Sequence, residues 1–159
     1  MNQITFSVNE SRLTTTRQFD APLETVWEAW TTAELLDQWW APAPFVAKTR
    51  HFDFSVGGYR FYSMSSPDGQ TFYGRMEYES ISDQKSFSGT DAFAFEDGSI
   101  SEEAPMANFL YRFKALDGGT EVVTITKYAS EEQLQMVLAM GLEQGLNQAY
   151  QNLDQLLAG

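Results

Sequence analysis

The stretch SEEQLQMVLAMGLEQGLNQAYQNLDQLLAG, residues 130–159, decides the fold. Ser130 and Gln133 stand at capping-box spacing, in which the hydroxyl accepts the backbone N–H three residues on and the longer side chain reaches back. Behind that start, Leu134, Leu138, Leu142, Leu146, Ala149, Tyr150, Leu153 and Leu157 recur at three and four, the stripe of a helix with one buried face. One long helix is expected from Ser130 to the end of the chain. Gly141 and Gly145 lie one turn apart inside it, where each costs about 1 kcal/mol relative to Ala. Close approach of the helix to its neighbours would offset that cost. Residues 128–159 contain Glu131, Glu132, Glu143 and Asp154 but no Lys or Arg, so an acidic outer face is expected.

Upstream of this helix the period changes to two. Between Phe45 and Tyr128, turn signals recur at Gly57-Gly58, Pro67-Asp68-Gly69, Ser82-Asp83, Asp97-Gly98 and Asp117-Gly118-Gly119. They divide the segment into strands at Phe45–Phe54, Tyr59–Met64, Thr71–Ile81, Lys85–Phe95, Ala107–Ala115 and Thr120–Lys127. Short turns between them require antiparallel pairing. Ser99 to Met106 exceeds a turn and is a candidate flap. Earlier, the Thr-rich alternation of Ser11 to Phe19 reads as a strand. Asp20 and Pro22 open a helix carrying Val26, Trp27, Ala29 and Trp30. Thr31-Thr32-Ala33-Glu34 opens a second, carrying Leu35, Leu36, Trp39 and Trp40, which ends at Ala41-Pro42-Ala43-Pro44. The expected class is α+β: a curved antiparallel sheet of about six to seven strands, two short helices after the first strand, and a long C-terminal helix over a cavity.

At 159 residues the chain is expected to form one domain over residues 1–159. Twelve Phe, seven Tyr and four Trp must pack a large core or line a hole in it. A net charge of −12 repels polyanions, so nucleic acid and anionic membranes are unfavourable partners. No cysteine and one His leave no basis for the usual zinc, copper or haem ligand sets, and no metal or other cofactor is expected. Neither a secretory leader nor a spanning segment is visible, and a cytoplasmic location is the expectation.

Two polar groups are candidates for chemistry. His51 and Asp53 are two apart in one strand and share a face, so the carboxylate could orient the imidazole for acid/base work. Asp91 stands in the row Phe87, Gly89, Asp91, Phe93, Phe95, where a carboxylate has to be paired, hydrogen-bonded or protonated; Arg60 and Arg112 are the candidate partners. In the strand 71–81 the set Phe72, Gly74, Met76 and Tyr78 is expected to face inward.

Phe19-Asp-Ala-Pro22, Val26-Trp27-Glu-Ala-Trp30 and Trp39-Trp40-Ala-Pro42 begin a likeness that extends to Asp53-Phe-Ser-Val-Gly57-Gly58-Tyr-Arg60, Pro67-Asp-Gly69 and Gly74. It ends with Thr90-Asp91-Ala-Phe93, Met140-Gly141-Leu-Glu-Gln-Gly145 and Leu153. Over residues 11–158 the chain resembles the family named for the activator of the ninety-kilodalton heat-shock-protein ATPase, within the START-like (SRPBCC) superfamily. The resemblance implies a helix-grip fold with a cavity between sheet and last helix. It departs at His51 and Ser55, where relatives often carry Glu and Arg, and at Leu146, where they often carry Trp. The expected function is binding of a small apolar or aromatic molecule in that cavity. Trp39, Trp40, His51, Phe61, Phe72, Tyr73, Asp91, Phe93, Tyr111, Met136 and Met140 are expected to line it. The alternatives are a cyclase- or hydratase-like enzyme using Asp91 or His51 as acid or base, and a co-chaperone or protein-interaction module. The expected partner is a small hydrophobic molecule, and a homodimer or protein partner stays open.

Overall fold

The structure, a computed structural model, describes residues 2–159. In chain order it contains β1 (Thr5–Asn9), β2 (Arg12–Phe19), α1 (Leu23–Thr31), α2 (Ala33–Trp39), β3 (Val46–Phe52), β4 (Tyr59–Ser65), β5 (Thr71–Ser82) and β6 (Ser86–Ala94). These are followed by β7 (Met106–Leu116), β8 (Gly119–Tyr128), α3 (Glu131–Ala139) and α4 (Leu142–Ala158). The strands form one eight-stranded sheet in the order β1-β2-β8-β7-β6-β5-β4-β3, with antiparallel neighbours throughout. The α+β class and the strand-by-strand reading of residues 45–128 hold. The count of six to seven is one short because β1 was not read as a strand. It is five residues long, mostly exposed, and lies at the sheet edge, so it carries almost no apolar alternation.

Two expected caps do not form. α1 begins at Leu23 with Pro22 as N-cap and no side-chain bond; Asp20 instead accepts from Asn2 Nδ2 at 3.1 Å. Thr31 Oγ1 donates back to the Trp27 carbonyl at 2.9 Å, and the α2 N-cap is Thr32, again without a side-chain bond. At Ser130 half of the capping box is made. The hydroxyl accepts from Gln133 N at 3.2 Å, while Gln133 Oε1 stays buried without a partner.

The expected single C-terminal helix is broken. Gly141 has φ +97°, the left-handed backbone that side chains disfavour, and it separates α3 from α4. No close contact requires a glycine there, since an added Cβ would meet only Gln144 Oε1 at 3.8 Å. The reason for Gly141 is therefore conformational rather than the close approach expected from sequence. Asp154 is only half-exposed: Arg17 of β2, itself buried, holds its carboxylate through two contacts of 2.5 and 2.7 Å.

The break lets the two helices serve two separate cores. α1, α2 and α4 enclose a ring-rich cluster of Phe19, Trp27, Trp30, Trp39, Tyr78, Phe87, Phe113 and Tyr150, with most rings edge-on. α3 closes a smaller cluster of Leu13, Ala107, Tyr128 and Leu134. Asn152 Nδ2 donates to the Ala41 carbonyl at 3.2 Å and fastens α4 to the end of α2.

The two helix glycines should respond to alanine in opposite directions. Gly141→Ala forces a left-handed alanine and should cost about 1–2 kcal/mol. Gly145→Ala places its Cβ at an ordinary 3.9 Å from Pro42 Cγ and should stabilise α4 by up to about 1 kcal/mol. Urea unfolding of both variants checks this; equal effects would contradict the assignment.

Candidate functional site

Pairing registers place Phe52, Arg60, Met76, Asp91, Ala107 and Tyr128 in one row across β3–β8. Directly opposed residues share a face, and this row lies on the face covered by the helices, where Arg60, Met76, Ala107 and Tyr128 are buried. Above Asp91 the two cores do not meet. A cavity of about 230 Å³ remains, bounded by Tyr62, Met64, Tyr73, Gly74, Asp91, Ala92, Phe93, Pro105, Ala107 and Tyr128, and by Val137 and Leu142 from the two helices. Tyr62 is seated over Gly74, where a Cβ would come within 2.4 Å of the phenol oxygen. That position admits no side chain.

A second cavity of about 170 Å³ lies between Trp39, Trp40, Pro42, Tyr111, Gly145, Leu146, Ala149 and Tyr150. Leu142 borders both cavities. Leu146 borders this second space, in line with the expectation of room beside the helix at that position.

Two charges occupy the row. Arg60 is fully buried; its guanidinium carbon is 4.1 Å from the Tyr62 ring centroid and 5.0 Å from that of Trp40. Its Nε donates to Thr49 Oγ1 at 3.3 Å and its Nη2 is 3.8 Å from Asp37 Oδ1, while neither Nη has a hydrogen-bond partner. Asp91 stands two strands away, roughly 10 Å along the row at ordinary strand spacing. The two attract but do not touch: among the described residues the ion pairs are Arg17–Asp154, Arg60–Asp37 and Arg75–Glu77. Arg112, the other expected partner, is exposed on β7 opposite Ser86.

Of the expected lining residues, Tyr73, Asp91 and Phe93 border the larger cavity and Trp39, Trp40 and Tyr111 the smaller. The others do not meet there. His51 is exposed and stacks on Tyr59 at 4.1 Å, while Asp53 Oδ1 accepts from Ser55 Oγ at 2.7 Å rather than orienting the imidazole. Phe61 stacks on Tyr73 at 5.8 Å on the opposite face. Phe72, expected inward with Gly74, Met76 and Tyr78, is half-exposed against Phe45 at the strand's start. Met136 and Met140 point to solvent, 53% and 66% exposed. Val137 and Leu142 bound the cavity in their place: Val137 lies near the buried Leu134 on α3, whereas Met136 is on the other side of that helix. Ala107 and Tyr128 went unread as lining residues, although Ala107 pairs with Asp91 and Tyr128 with Ala107 once the register is known. Half of the expected flap is tied down, by a bridge from Ile100 to Ala94 and by Ser101 N donating to the Phe93 carbonyl at 2.8 Å; its end brings Pro105 to the cavity. No group of three or more potential metal ligands occurs among the described residues, and none of their helices is long and apolar enough to cross a membrane.

A family model described as Activator of Hsp90 ATPase homolog 1-like protein matches residues 20–158. Among solved structures, a protein from Mycobacterium smegmatis is 33% identical with a TM-score of 0.88, covering 98% of this chain and 95% of that one. A protein from Arthrobacter aurescens is 28% identical with a TM-score of 0.90, covering 97% and 91%. One from Staphylococcus epidermidis is 27% identical with a TM-score of 0.87, covering 97% and 93%. No curated protein matches the sequence significantly.

Burial pushes the Asp91 carboxyl up to about 6, with the Arg60 charge and the Ala92 N–H pulling it part of the way back. Burial also raises Tyr62 and Tyr78, and the Asp91 charge adds to both. In the unfolded chain Asp91 titrates near about 3.9. Between about pH 4 and pH 6 the folded protein therefore holds a proton that the unfolded chain has released, and stability falls as pH rises through that window. Above it the full penalty, up to about 3 kcal/mol, is present. Asp91→Asn removes the charge without changing shape. It should be more stable than the parent at pH 7 and about equal to it near pH 4, as read by urea unfolding across that range.

Proposed function

Because the chain belongs to the Activator of Hsp90 ATPase homolog 1-like family, whose fold is consistent with a ligand-binding cavity, we propose that it binds a small apolar or aromatic molecule between its sheet and its C-terminal helices. The observation that carries this reading is the 230 Å³ space between two otherwise close-packed cores, walled by aromatic and aliphatic side chains around one carboxylate. Walls of this composition, with few polar groups, are the usual form of small-molecule sites. A dry apolar cavity of about 150 Å³ accepts benzene, so this one takes a ring with a short arm.

Catalysis is a second reading, favoured by Asp91 alone: a general acid or base works best when its pKa lies near the working pH, and Asp91 is near 6. For any compound found to be turned over, Asp91→Asn should lower the rate by about 10²–10⁴-fold. Unchanged turnover would remove this reading.

Propylbenzene is a suitable neutral probe for the binding reading. It should bind saturably at one site in calorimetry, and Val137→Phe, which fills the cavity from α3, should weaken it by about tenfold or more. The absence of saturable binding, or equal affinity in a folded Val137→Phe variant, contradicts the proposal.

A further inference from the structure

Asp91 is the single charged residue among those bordering the larger cavity. No side chain of the described residues forms an ion pair with it, and the Ala92 backbone N–H is the donor that offsets part of its cost. A carboxylate facing an apolar space in this way is under-compensated, since burial penalises charge that is not matched nearby. Arg60 does not fill the role. Its head lies between the Trp40 and Tyr62 rings and faces Asp37 and Thr49, and it does not border the cavity. The other titratable groups nearby, Tyr62, Tyr78, Tyr111 and Tyr128, are held neutral by burial.

On the reading that the cavity is a ligand site, we infer that its ligand is a small protonated arylalkylamine whose ammonium group pairs with Asp91 while its ring lies among Tyr62, Phe93 and Tyr128. Three features favour a cation over a neutral or anionic guest. An ammonium donates directly to the carboxylate, and charge-assisted bonds are about twice as strong as neutral ones. Tyr62, Phe93 and Tyr128 border the same space, and aromatic rings attract cations at their faces. The whole chain, at a net charge of −12, raises the local concentration of cations and repels anions. The size limit is the cavity itself: a ring and a chain of roughly two or three atoms, by comparison with the smaller cavity that benzene fills.

The test compares phenethylamine, 2-phenylethanol and 3-phenylpropanoate by calorimetry at pH 7.5, beside propylbenzene, on the parent protein and on Asp91→Asn. Phenethylamine should bind the parent about tenfold to a hundredfold more tightly than 2-phenylethanol, with 3-phenylpropanoate weakest. In Asp91→Asn the amine should lose its advantage over the alcohol. The inference fails if the alcohol or the acid binds the parent as tightly as the amine, or if Asp91→Asn keeps the preference; propylbenzene binding would then leave the cavity reading standing. If none of the four binds the parent, both readings fall. The comparison on the parent is decisive even if Asp91→Asn does not fold.

Discussion

The left-handed backbone at Gly141 is the constraint on which the rest of the molecule turns. A straight helix from Ser130 onward would present one stripe in one direction, whereas the residues it covers form two separate clusters. By turning at Gly141 the chain sends Leu134 into the smaller cluster and Ala149, Tyr150 and Leu153 into the ring-rich one. The turn also fixes which residues look inward between the two. Val137 and Leu142, on either side of it, end up over the sheet, and Met136 and Met140 end up in solvent. The larger cavity follows from this division, because its walls come from both clusters and neither reaches across it.

The charges on the helix-covered face are arranged by the same row geometry. Arg60 and Asp91 are separated by Met76, so their attraction acts across a strand and neither satisfies the other. Arg60 is compensated by ring faces, one hydroxyl and Asp37, a set drawn from α2, β3 and β4. Asp91 has only a backbone donor and the distant guanidinium. Asp91 is partly buried, and drawing a charge out of water without a matching partner costs stability, so the folded state bears a cost there. A cost of that kind, located at the wall of a cavity, is the pattern expected where stability is exchanged for recognition or chemistry.

Most of the fold was legible because it rests on periods and turns. The strands from Val46 to Tyr128 follow alternation interrupted by Gly and Asp, and α1 and α2 follow the tryptophan spacing. β1 was not legible because an exposed edge strand needs no buried face. The caps at Asp20 and Thr31 were misjudged because Asn2 and the Trp27 carbonyl compete for those side chains, and the sequence does not show which partner is nearer. In the site, Asp91 was recognisable from its apolar neighbours on one strand face. His51 satisfied the same local rule yet lies outside, since parity within a strand does not tell which face the helices cover. Met136 and Met140 were expected inward although they stand two residues off the Leu134–Leu138 stripe, about 200° around the helix, and they face solvent.

Leu142 ties these observations together. It borders both cavities, it is the first residue after the turn, and its neighbours Gly145 and Leu146 leave open the space on the far side. Side chains in helices occupy a few staggered rotamers, and the one Leu142 adopts places it at the border of both spaces. With Leu142 between them, the larger cavity admits a ring and a short arm. On the far side of Leu142 the rings of Trp40, Tyr111 and Tyr150 continue the apolar wall toward α4. On the proposed binding reading, the helix turn would set the length of the guest and the sheet its polar contact, through elements that the chain builds independently of each other.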